Sequence, residues 1–234
     1  MPWCSERSAF SFIETLSEPH VSIPDSSSVP RHSNEGTIRF AIAVLERVVL
    51  IAIAIPYVLA IFASLPSHPS FLLSASSEIL AAFFVLIQKP GTVSTRALAV
   101  AAAYGGTVAS LLVRPGGPVL LPSEIASLMM AAGLALAVWS KIVLNRSFGL
   151  VAANRGVKKR GPYRLVRHPM YLGYVLAQVG FLSQNMSAFN VMLYAVGWSL
   201  QLLRIREEEH ILAADPLYKD YRKHVRWKLL PGLL

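Results

Sequence analysis

Apolar residues run along this chain in long blocks separated by short polar punctuation. Four blocks precede residue 145 and two shorter ones follow Arg167. The first four approach the roughly 20 residues that a bilayer-spanning helix needs. The pattern predicts spans over about residues 38–63, 71–88, 96–113, 123–144, 168–182 and 188–203. Lipid offers the backbone no hydrogen-bond partner, so each block must pair internally as helix.

The punctuation supports these limits. Pro56 falls inside the first block as a kink. Lys89-Pro90-Gly91 ends the second, and Arg114-Pro115-Gly116-Gly117-Pro118 ends the third. Ser123 suits the N-cap of the fourth. Pro169 suits the first position of the fifth, where its missing N–H leaves nothing unpaired. Ser183-Gln184-Asn185 turns the fifth into the sixth, which predicts a tight hairpin. The expected fold is all-α, a polytopic bundle of about six transmembrane helices.

Three regions follow. Residues 1–36 are rich in Ser, Pro and Glu, without the basic and apolar segments of a signal peptide, and read as a disordered tail. Residues 37–144 hold helices one to four. Residues 145–234 hold a polar loop, the hairpin and a polar C-terminal part, helical from Arg204, with a second short helix starting at Pro216.

Composition agrees. The chain is 54% hydrophobic and 15% charged, with a mean hydropathy of +0.49, against roughly 25% charged in a soluble domain. Cys4 is the only cysteine, which excludes an internal disulfide and a cysteine-based metal cluster. The six histidines show no ligand spacing, so no metal site is expected.

Charge changes the picture more. The net charge is +9, yet no Asp or Glu occurs between Ile125 and Arg206. Lys141, Arg146, Arg155, Lys158, Lys159, Arg160, Arg164 and Arg167 fall within that stretch. The basic loops alternate with a side that carries only Arg114, so both termini and both basic loops are expected in the cytosol.

The hairpin brings two polar segments together: Gly161 to Gly173, and Arg204 to Leu212. In the first, Arg167 and His168 stand before a helix N-terminus, where free N–H groups and the dipole favour anions, and their side chains can fork onto a carboxylate. Gly161-Pro162 turns the chain tightly. Tyr163 and Tyr171 can wall an aromatic pocket, and Gly173 allows close approach to the fifth helix. In the second, Glu207, Glu208 and Glu209 are the acids available, with Arg204 at helical spacing from Glu208. A ligand with a carboxylate, an amine and a ribose fits such a mixed site. Each piece also has a plain reading. Arg-His-Pro can be an interface anchor, the Glu triplet a solvated face, and Tyr218 and Tyr221 interfacial anchors. Glu46, Arg47 and Glu78 lie within early spans and are not assigned to the site.

The run Gly-Pro-Tyr-x-x-x-Arg-His-Pro-x-Tyr-x-Gly at 161–173 resembles the signature of the isoprenylcysteine carboxyl methyltransferase and phospholipid methyltransferase superfamily. Arg-Ile-x-x-Glu-Glu-x-x-Leu resembles its second half, here Arg204 to Leu212 with Glu207 as an extra acid. Asn145-Arg146-Ser147-Phe148-Gly149, Tyr218-x-x-Tyr221 and Pro231 are also similar to the family, so the resemblance covers about residues 140–234. It implies an integral membrane enzyme that transfers a methyl group from S-adenosylmethionine to a lipid-like or prenylated acceptor, at a carboxylate or an amine. Gly161, Pro162, Tyr163, Arg167, His168, Pro169, Tyr171 and Glu209 would hold the cofactor, and Glu208 and Arg204 would be catalytic. The implied partners are the bilayer and the acceptor, not nucleic acid. The implied location is a bacterial-type inner membrane with the cofactor site cytosolic. Two alternatives stay open: a membrane oxidoreductase using NADPH, like the sterol reductases, and a non-catalytic lipid-binding protein.

Overall fold

Each apolar block of the sequence folds as one helix in the computed structural model, which describes residues 32–64, 71–230 and 232. The helices are α1 (His32–Ser64), α2 (Phe71–Leu86), α3 (Ala97–Leu111), α4 (Ser123–Leu144), α5 (Pro169–Gln184), α6 (Ala188–Leu212) and α7 (Pro216–His224). The described residues are mostly helical, with one small antiparallel ladder. It pairs β1 (Thr92–Val93) with β2 (Ala153–Asn154), tying the α2–α3 connection to the loop after α4.

Among the described residues, one helical stretch is long and apolar enough to cross a membrane, Ser123–Ser147. Helices α2, α3 and α5 have 16, 15 and 16 residues. At 1.5 Å per residue they rise about 24 Å, short of a hydrocarbon core of about 30 Å. Every one of the first six helices still turns large apolar side chains outward. Phe40 and Leu59 do so on α1, Phe83 on α2, Leu98 on α3, Leu128 on α4, Val179 on α5 and Met192 on α6. An apolar exterior spread over all six helices suits lipid rather than water.

Four expectations need correction. The fourth helix is capped from Pro122 with no side-chain bond, because the Ser123 hydroxyl turns to Glu124 instead. Helix α1 starts at His32, so residues 32–36 of the expected tail are helical; the rest of that tail lies outside the described residues. Helix α6 does not stop near residue 203 but continues unbroken to Leu212, which carries Arg204 and the three glutamates on one rigid rod.

The fourth correction concerns the hairpin. Helices α5 and α6 are joined by a short turn but hardly touch; α5 packs on α4, and α6 on α3. The small residues dictate this. A Cβ placed on Gly173 would come within 2.5 Å of the Gly133 carbonyl oxygen, and one on Gly180 within 2.8 Å of the Ala126 oxygen. Backbones can approach this closely only without side chains between them. On α6, Gly197 faces Ala109 of α3, and Gln201 lies against Gly106. The turn is fixed by buried Asn190, whose side-chain amide donates to the Arg114 and Asn185 carbonyls at 2.8 Å each. The two helices therefore diverge, and a cavity opens between their inner faces.

Candidate functional site

The segment between α4 and α5 is irregular for reasons visible in its residues. A 3-10 turn over Asn145–Ser147 ends α4, and a second over Gly161–Arg164 carries Pro162 near its start. Gly161 has φ +58, a backbone shape that glycine adopts without strain. Pro169 then starts α5 at its first position. The N–H groups of Arg167 and His168 donate to the Trp227 and Lys228 carbonyls at 2.9 and 2.8 Å, so the C-terminal segment straps this entry in place.

An outer cavity of about 100 Å³ lies beneath this segment. Tyr163, Arg167, His168, Tyr171, Arg204 and Glu208 line it, together with Phe148, Gly149, Arg155, Tyr218 and Tyr221. Of the remaining residues implied by the resemblance, Gly161, Pro162, Pro169 and Glu209 support these walls without lining the cavity. An inner cavity of about 350 Å³ lies among α1, α2, α3, α4, α5 and α6. The two share three lining residues, Phe148, Met170 and Arg204.

The three glutamates have three different surroundings. Glu207 points away and pairs with Arg96 at 2.8 Å. Glu208 lines the outer cavity, accepting from the Tyr171 hydroxyl at 2.6 Å and from Arg204 Nε at 3.2 Å. Glu209 takes Arg167 Nη1 at 2.5 Å, His168 Nε2 at 3.0 Å and the Tyr218 hydroxyl at 2.5 Å. The fork of Arg167 and His168 is thus filled by an internal carboxylate rather than left for a ligand. Arg167 Nη2 donates to the Arg226 carbonyl at 3.1 Å, and Arg167 Nε is buried with no partner among the described residues. Arg204 Nη2 donates to the Gly149 carbonyl at 3.0 Å, and its guanidinium lies over the Tyr171 ring at 5.4 Å.

Burial pushes the Glu209 carboxyl up, but hydrogen bonds from His168 and Tyr218 and the charges of His168 and Arg167 outweigh it and hold it at about 2. The folded state therefore gains stability from Glu209 at pH above its ordinary 4.5, and loses that gain as pH falls toward 2. Thermal melting at stepped pH should show a drop in stability across this window, flattened in Glu209→Gln. An equally steep drop in the variant would assign the acid transition elsewhere.

Two features went unforeseen. Tyr218 and Tyr221 are not interfacial anchors: both are 3% exposed, and the Tyr221 hydroxyl donates to the Tyr163 carbonyl at 2.6 Å. Helix α7 turns them inward and its basic residues outward. The period of three was present in the sequence, but spacing alone does not say which face is covered.

The second is Glu46, a site support from α1. It is fully buried and accepts the N–H groups of Leu150 and Val151, the latter at 3.1 Å. Arg155 Nη2 lies 3.5 Å from its other oxygen, and Gln88 donates to it at 3.3 Å. Burial pulls the Arg155 guanidinium below its usual value, with Glu46 and Glu208 opposing. Glu46 thereby fixes the loop whose Gly149 carbonyl receives Arg204. An intramembrane acid was the available signal; its partners, two backbone N–H groups about a hundred residues away, left no mark in the sequence.

No curated protein and no solved structure matches the chain. The family model described as "Isoprenylcysteine carboxyl methyltransferase (ICMT) family" matches residues 120–214, which take in α4, the loop over the outer cavity, α5 and α6. That match takes in less than half of the chain and supports membership of the isoprenylcysteine carboxyl methyltransferase superfamily, a group of membrane methyltransferases.

Proposed function

We propose that this protein transfers the methyl group of S-adenosylmethionine to a lipid-like acceptor, the cofactor taking the outer cavity and the acceptor the inner one. The observation that carries this reading is the shared wall of Phe148, Met170 and Arg204, a partition between a polar chamber and a larger one among the helices. The donor set suits the cofactor. Arg155, Lys158 and the free Nε of Arg167 suit its carboxylate, Glu208 its ammonium, and the rings of Tyr163, Tyr171 and Tyr218 its sulfonium and base. Size sets a further requirement. An outer cavity of about 100 Å³ falls below the roughly 300 Å³ of small ligand pockets, so the cavity must widen on binding.

The cofactor supplies an electrophilic methyl group; the chain's own residues position and desolvate what attacks it. A carboxylate acceptor needs no base, and Arg204 orients it. An amine acceptor must first lose a proton, and Glu208 is placed to take it. We further propose six spans, with both termini and the outer cavity cytosolic, in keeping with the basic loops and the apolar exterior of α1–α6.

The purified protein should bind S-adenosylhomocysteine in calorimetry, and Arg167→Lys should weaken binding at least about tenfold. A lysine cannot serve the Glu209 carboxylate and the Arg226 carbonyl in the same fork. Absence of binding by folded wild type would overturn the cofactor assignment. Oxidation of NADPH on a lipid alkene would favour the reductase reading instead.

A further inference from the structure

Helix α7 uses one of its faces and leaves another open. Tyr218 and Tyr221 turn inward as walls of the outer cavity. Lys219, Arg222 and Lys223, three and four residues apart on one side of the helix, stay exposed and line a single open depression. The exposed charge continues past the end of the helix. Arg226 and Lys228 are exposed on the strap between buried Val225 and Leu229, and Trp227 between them is 40% exposed.

None of these five cations has a carboxylate partner among the described residues. The acids of this segment are committed elsewhere. Asp215 accepts from the Leu217 N–H at 2.8 Å and from the Asn154 amide at 3.0 Å, and Asp220 pairs with Lys159 at 3.4 Å. The helix dipole favours the basic residues of the last turn, Arg222 and Lys223. It does not account for Lys219, a turn earlier, or for Arg226 and Lys228, beyond the helix. Lys219 and Lys223 even stand at the spacing at which like charges repel. The face is thus matched to an anion from outside the chain. Its place in the fold narrows the source. Helix α6 runs out of the apolar bundle to Leu212, and α7 starts at Pro216 after a connection over 213–215, close to the end of that helix. Soluble anions would meet the cations and leave the Trp227 indole in water. A membrane surface serves both, because tryptophan favours the headgroup level.

We infer that the basic face of α7 and the strap after it dock on the anionic lipid headgroups of the cytosolic leaflet. Lys219, Arg222, Lys223, Arg226 and Lys228 take the lipid phosphates, and Trp227 takes the interface. The inference rests on the bilayer placement proposed above and is independent of methyl transfer. The cations need no common ligand, since a leaflet presents many phosphates side by side.

The test reads backbone hydrogen exchange of the full chain in lipid nanodiscs, one kind made of phosphatidylcholine alone and the other with phosphatidylglycerol added. A basic residue near an anionic surface contributes about fivefold in affinity, so exchange along α7 should slow about tenfold or more in the anionic disc. High salt should remove the difference in wild type, because exposed charges are screened. The triple variant Lys219→Gln, Arg222→Gln, Lys223→Gln should bring the two discs within about threefold, as the strap cations alone remain. Lys219→Arg with Lys223→Arg should keep the wild-type difference. Equal exchange in the two discs for wild type, a difference indifferent to salt, or one undiminished in the glutamine variant would each overturn the inference. Slowing by a single-stranded RNA oligonucleotide but not by phosphatidylglycerol would also overturn it and assign the face to nucleic acid. Unprotected amides through α4 in both discs would count against the bilayer placement itself, whereas an unresponsive α7 beside protected spans would count against this surface alone.

Discussion

Glu46→Leu is expected to destabilise the protein by about 3–5 kcal/mol, the usual cost of removing one partner from a buried ion pair. Four groups lose their acceptor at once: the Leu150 and Val151 N–H groups, the Gln88 side-chain amide and the buried Arg155 guanidinium. For a chain of 234 residues that corresponds to a fall in melting temperature of about 6–20 °C. The double variant Glu46→Leu with Arg155→Leu should recover part of the loss, since it removes the orphaned cation. It should not recover all, because the two backbone donors stay unpaired. A single-variant loss below about 1 kcal/mol would show that Glu46 does not clamp the loop. The effect should also reach the outer cavity, as the Gly149 carbonyl that receives Arg204 belongs to that loop.

With an amine acceptor, Glu208→Gln should lower turnover by about 10²–10⁴-fold, the range for removing a positioned acid–base group, with labelled S-adenosylmethionine and isolated membranes as the assay. The glutamine retains an oxygen for the Tyr171 hydroxyl and for Arg204 Nε, so geometry is largely preserved and the lost item is charge. Affinity for S-adenosylhomocysteine should fall as well, because Glu208 also faces its ammonium, but by about tenfold and so by less than turnover. Glu207→Gln is the control: its partner is the exposed Arg96 on the outside of the helix, and exposed pairs are worth little, so turnover should stay within about threefold. Equal losses in both variants would remove the special standing of Glu208.

Local features were the ones that could be read from the sequence. The limits of α4, the start of α5 at Pro169 and the start of α7 at Pro216 follow from apolar run length and proline position. The motif residues Arg204 and Glu208 sit four apart on one helix, so their pairing is legible from the helical period alone. Long-range features were not. Chain adjacency suggested that α5 and α6 would pack together, but the glycine faces at Gly133 and Gly173 sent α5 to α4. The ladder of Thr92–Val93 with Ala153–Asn154 is too short to show a strand period. Arg167 and His168 read as ligand donors because their internal carboxylate, Glu209, lies some forty residues away.

The recognisable stretch of sequence and the cooperative unit do not coincide. Glu46 reaches the loop at 150–155 from α1, and Lys141 is held by Ser77 of α2, both from outside the matched residues 120–214. A fragment cut at the match would leave two buried cations without their anchors. In recombination terms, the breakpoint between α3 and α4 is a poor one. A chimera that keeps the matched part of this chain and borrows another front half inherits the loop but not its anion, unless the donor helix brings an acid to the level of Glu46.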